Sequence, residues 1–155
     1  MSCFRASVML FAAFAAALAH AGDFYVAADG KAESGGSRER PWPSAEYALG
    51  RVGAGQTIVL KAGIYRGPLQ IARQFAGTSD RPTVIKSETK WKAVLVGSEQ
   101  HVISTADDCD WVIIDGFEVM GGRKDGVKIS GDHGGTKWLH PTAPARSGTR
   151  WKTDD

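Results

Sequence analysis

Asparagine is absent from the 155 residues, and cysteine occurs only as Cys3 and Cys109. Without asparagine, the Asn-Gly pair that marks many two-residue hairpins cannot occur. Two cysteines cannot supply the disulfide framework of a small stapled domain. Charge of one sign is lacking too. The net charge is +2, and Lys and Arg are not gathered on one element, which excludes a dedicated nucleic-acid binder. There is no G-x-S-x-G elbow, no Walker loop and no H-E-x-x-H, and the four His residues have no metal-ligand spacing. Gly53-Ala54-Gly55 follows a helix and precedes a strand, the reverse of the nucleotide-binding order, so it is a turn.

The one long apolar run stands at the start, MSCFRASVMLFAAFAAALAHA. Arg5 supplies a positive beginning, Ala6 to Leu18 an Ala-rich apolar stretch, and Ala19-His20-Ala21 a small-x-small cleavage pattern. Residues 1–21 are therefore expected to be a signal peptide, removed to leave Gly22 first. The run falls short of the ~20 residues that span a bilayer, so no membrane span is expected after cleavage. The expected location is exported, periplasmic or extracellular. Cleavage would leave Cys109 alone, and beside an apolar strand it reads as a buried small apolar residue rather than a nucleophile.

What is present is short alternation and abundant glycine. FYVA (residues 24–27) reads as a first strand, followed by a polar loop in which Pro41 and Pro43 bracket Trp42. From Ser44 to Val52 the spacing predicts a short helix, with Ala45, Ala48, Leu49 and Val52 on one face and Gly53 at the C-terminal cap. Three similar blocks follow. The first holds TIVL, GIYR and LQIA (from Thr57), the second TVIK, AVLVG and HVIS (from Thr83). The third is DWVIIDGFEVMGGRKDGVKISG, Asp110 to Gly131. There, Phe117 and Val119 oppose Glu118 and Met120, and Val127 and Ile129 oppose Lys128 and Ser130.

Block starts lie about 26 to 28 residues apart, inside the window of roughly 20 to 50 that marks stacked repeats. One block cannot bury its apolar face alone, but stacked blocks share a core and a parallel ladder. The predicted fold is all-β: a parallel coil of about three turns, with the short N-terminal helix covering its open end. An antiparallel sandwich is the rival, since Asp115-Gly116 and Asp125-Gly126 could turn hairpins. Residues 22–135 are assigned to the cap and coils. Residues 136–155 lack alternation, carry Pro141 and Pro144, and are expected to be an unstructured or aberrant tail. Trp138, Trp151, Lys137, Arg146, Arg150 and Lys152 there could also suggest a basic-aromatic arm. The expectation is that the proper continuation is lost near Gly135.

FYVA, PWPSAEYAL, GQTIVLKAGIYRGPLQI, AGTSDRPTVIKS, AVLVGS, DWVIIDGFEV and DGVKISG together resemble the beginning of right-handed parallel β-helix proteins. The kin are secreted polysaccharide lyases of the pectate-lyase and alginate/chondroitin-lyase type. The resemblance implies a right-handed β-helix and an acidic polysaccharide as partner. It also implies β-elimination, in which a base removes the proton beside a uronate carboxylate while Ca²⁺ or basic side chains offset the developing charge. Family catalytic residues generally lie on later coils, so none is carried over. No catalytic, cofactor-binding or metal residue is assigned, and the chain is expected to be an inactive lyase relative. The alternatives are a non-catalytic polysaccharide-binding module and a structural or adhesive β-helix.

Local candidates remain. Asp107, Asp108 and Asp110 could bind Ca²⁺, although corner carboxylates are usually solvated turn formers. Arg123, Lys124, Asp125 and Lys128 could line a groove for an acidic sugar, against the default of ordinary surface charge. Tyr65, Trp91 and Trp111 are possible sugar platforms, against packing between coils. An uncovered last edge predicts self-association of a fragment, where a complete helix would be a monomer.

Overall fold

From Thr57 to Ile129, strands of three to five residues joined by connections without an α-helix can find parallel partners only on the next round of the chain. The computed structural model describes residues 22–97 and 100–130 in full and the backbone of 151–153. The expected signal peptide, the proposed break near Gly135 and the other residues of the tail lie outside the described residues.

The strands are β1 (Asp23–Val26), β2 (Thr57–Leu60), β3 (Gly63–Arg66), β4 (Leu69–Ile71), β5 (Thr83–Ser87), β6 (Ala93–Gly97), β7 (His101–Thr105), β8 (Val112–Asp115), β9 (Phe117–Gly121), β10 (Asp125–Ile129) and β11 (Trp151–Thr153). They sort into three sheets: β1-β2-β5-β8, β3-β6-β9 and β4-β7-β10-β11. Every pairing is parallel. The chain visits the first, second and third sheet in turn and then begins again. This mostly-β, all-parallel arrangement is compatible with a parallel β-helix and excludes the antiparallel sandwich.

Register turns the alternation of each strand into columns. In the first sheet Ile58, Ile85 and Ile114 stand side by side, the first two wholly buried and the third 8% exposed. Tyr65, Leu95 and Val119 align in the second sheet, and Leu69, Ile103 and Val127 in the third. Each such isoleucine or leucine contributes ~1.5–3 kcal/mol by burial, so the columns carry most of the cohesion. The opposed residues Glu118 and Met120 form the outer face of β9 as expected, with Met120 exposed.

Helix α1 (Ala45–Leu49) is shorter than predicted. Ser44 caps it, its hydroxyl accepting from Tyr47 N at 3.1 Å. Gly50, rather than Gly53, is the C-terminal cap. The chain continues as a turn in which Val52 N donates to Ala48 O at 3.0 Å. All four stripe residues, Ala45, Ala48, Leu49 and Val52, are buried even so. The stripe reflects burial, and only part of it is helical.

The loop before α1 is not featureless. Trp42 is buried, stacks on Phe24 with ring centroids 5.3 Å apart, and donates its indole N–H to Ser34 O at 2.7 Å. Its backbone extends the first sheet: Trp42 N donates to Tyr25 O and Ala27 N to Trp42 O, both at 2.9 Å. Gly36 has φ +74°, and a Cβ there would lie 2.7 Å from the indole, so glycine is required. At the far end, β8 and β9 have no further strand beside them among the described residues. The edge of β10 is covered by β11, inside a stretch expected to carry no regular structure.

Candidate functional site

The outer face of the third sheet carries the polar row Gln70, Ser104 and Lys128, set side by side by the β4-β7-β10 register. The row exists because Leu69, Ile103 and Val127, one residue earlier in each strand, are pulled into the core. Gln70 is exposed, while Ser104 and Lys128 are half-buried. Lys128 therefore has neutral Ser104 beside it in β7, with Gln70 one strand further, and Lys152 of β11 in register on its other side. At the leading end of the same strands His101 lies beside Asp125, with Nδ1 3.2 Å from Oδ2. The contact lacks hydrogen-bond alignment and becomes an ion pair only when the imidazole is protonated.

The β9–β10 turn presents Arg123 and Lys124 at the leading end of β10, and both are exposed. Two glycines permit that turn. Gly121 and Gly122 have φ +83° and +87°, and a Cβ on Gly121 would lie 2.2 Å from Gly97 O. Lys124 N and Asp125 N both donate to Gln100 O, at 2.9 and 3.1 Å, which docks the turn on the preceding round. Of the four residues proposed for a groove, Arg123 and Lys124 are exposed and Lys128 is half-buried. Asp125 is 8% exposed and faces His101.

No family model matches the chain, and no solved structure matches it. Pectate lyase PEL9 of Emericella nidulans is 34% identical over 94 residues, or 60% of this chain. The chain resembles a pectate lyase. The match spans 22% of that enzyme's length, about a fifth. With the parallel sheets, it bears out the coarse resemblance to polysaccharide lyases drawn from the repeat motifs. Among the described residues no helix is long and apolar enough to cross a membrane.

The remaining candidates separate. Asp108 pairs with Arg73 at 2.8 Å, both side chains being well exposed. Asp110 O accepts from Gly77 N at 2.9 Å, tying the corner to the preceding round. Among the described residues no group of three or more His, Cys, Asp or Glu converges to hold a metal. Cys109 is buried, with Sγ 3.6 Å from Ala72 O. Burial, and next the charge of Asp110, push its thiol up to about 11.

Tyr65 is buried rather than a platform. Its hydroxyl donates to Lys61 O (2.8 Å) and Val26 O (3.2 Å), and burial raises it to about 12. Trp91 and Trp111 are half-buried, and both adopt left-handed backbone, φ +67° and +54°. Sequence reasoning missed two features, the His101–Asp125 contact and the closure by Trp42. No local pattern signals the first. For the second, a tryptophan between two prolines was the available sign.

Proposed function

We propose that the chain is the N-terminal part of an exported right-handed parallel β-helix of the polysaccharide-lyase kind, with α1 as the cap of about three coils. In this reading the outer face of the third sheet contacts an acidic polysaccharide. The observation that carries it is the polar row Gln70–Ser104–Lys128, with Arg123 and Lys124 exposed in the turn that leads into β10, on a chain similar to a pectate lyase over 94 residues. Lys128 meets a sugar carboxylate, while Ser104 and Gln70 hydrogen-bond hydroxyls.

The 155-residue chain binds without turnover. β-Elimination needs a base and a second group that offsets charge on the same carboxylate. Lys128 has neutral Ser104 on one side and Lys152 of β11 in register on the other, and neither lysine is assigned as a base. Residues 1–21 act as the leader, and the edges of β8 and β9 drive self-association of this form.

Two measurements test this. Incubation with polygalacturonate, followed in the ultraviolet for unsaturated product, should give none; accumulating product would overturn the binding-only reading. Affinity electrophoresis through polygalacturonate should retard the chain, and Lys128→Ala should weaken the retardation. Equal retardation of the variant would reduce Lys128 to an ordinary surface residue. A structural or adhesive role is the second reading, favoured by Ile64 and Met120, 57% and 39% exposed on the outer face of the second sheet. It predicts no retardation at all.

A further inference from the structure

The corner between the first and second sheets holds a feature that the row on the third sheet does not use. Between β5 and β6 the chain makes a wide turn containing Lys90, Trp91 and Lys92. Its backbone is tied to both adjacent rounds. Gly63 N donates to Lys92 O at 2.9 Å, and Trp91 N donates to Gly116 O at 2.8 Å. Within the turn, Lys92 N donates to Thr89 O at 3.0 Å. The three side chains therefore leave a fixed base.

Trp91 has φ +67°, a region that glycine fills freely and a bulky side chain fills under strain. One round further, Gly116 meets the same corner with φ +76°. Glycine would thus serve at Trp91 as far as the backbone is concerned. Trp91 is half-buried rather than enclosed, and it is not among the buried residues of the core.

Among the described residues the flanking charges have no ion-pair partner. Lys90 and Lys92 are both exposed. Glu88, the acid within the turn, is taken by Arg38 at 2.7 Å. The stem of Lys90 lies over Gly116, where an added Cβ would be 3.5 Å from Lys90 Cγ.

We propose that Lys90, Trp91 and Lys92 form a second contact for an acidic polysaccharide, at the corner between the first and second sheets. The indole offers a face to the C–H side of a sugar ring, and the two ammonium groups take carboxylates on either side. The proposal rests on the reading of an acidic polysaccharide as ligand, and adds a contact remote from Lys128.

The test is affinity electrophoresis of the full chain through polygalacturonate and, separately, through its methyl ester. The wild-type chain should be retarded by polygalacturonate and far less by the ester. Exchange of both lysines (Lys90→Gln with Lys92→Gln) should weaken retardation about three- to tenfold, as expected for two exposed charge contacts. Trp91→Gly should lose retardation while keeping or raising the melting temperature, because glycine relieves the strained backbone. Trp91→Phe should retain part of the binding, and it serves as the aromatic test if the glycine variant fails to fold.

If the lysine pair and the Trp91 variants bind like wild type while Lys128→Ala does not, this corner is overturned and the third-sheet reading stands. If wild type is not retarded, both fall. Equal retardation by the ester overturns the role of the two lysines.

Discussion

The two ends of the stacked rounds are finished differently. At the first end α1 packs against β1, β2 and β4, and Trp42 extends the first sheet beyond β1 while its indole covers Phe24. The backbone donors and acceptors of β1 are used on both sides. At the later end β8 and β9 end their sheets among the described residues, and the column isoleucine Ile114 keeps 8% exposure where Ile58 and Ile85 have none. The rounds are alike in sequence, yet closure needs residues outside the repeat. A repeat supplies faces that stack; only a non-repeating segment finishes them.

The largest effect should come from Ile114→Asp. A carboxylate in the inward column has no partner there, so circular dichroism should show no cooperative melt for this variant. A variant that melts like wild type would mean that the later end is loose enough to hydrate the charge. Trp42→Ala comes next, with a loss of about 3–5 kcal/mol in urea titration, as for other buried tryptophans. A loss under about 1 kcal/mol would place closure of the first end on α1 alone.

Alkaline titration should loosen the ends in sequence. Burial holds the Cys109 thiol near 11 against a usual 9.0, and the Tyr65 hydroxyl near 12 against 10.0. In each case the unfolded chain releases its proton first, so stability is full below the usual value and falls as pH rises through the window. The decline should begin near pH 9, and Cys109→Ala should remove its first part. Tyr65→Phe should remove the later part, above pH 10. A flat profile from pH 8 to 11 would contradict the burial of the thiol. Ser44→Ala is the mildest change, at about 1 kcal/mol for loss of the cap.

Much of this was legible residue by residue. The alternation in TVIKS and AVLVG matches their burial, with Thr83, Ile85 and Ser87 in and Val84 and Lys86 half-exposed. The buried stripe of Ala45, Ala48, Leu49 and Val52 was legible too, although the helix stops at Leu49 because Gly50 ends it. The candidate site was legible only in pieces. Lys128 could be placed on an outer face, but nothing local said that Ser104 would lie beside it and Gln70 one strand further. By sequence Asp125 groups with Arg123, Lys124 and Lys128 as a groove residue; pairing of β10 with β7 brings it to His101 instead.

Sequence alone determined which apolar residues of the strands face inward and that like segments recur, because those depend on side-chain polarity and on turn residues a few positions away. Tertiary structure decided which residues become neighbours across rounds: the isoleucine column, the row of Lys128, the meeting of His101 with Asp125. Those neighbours depend on how many residues each turn consumes before the ladder resumes. That count is settled only when the backbones hydrogen-bond in register.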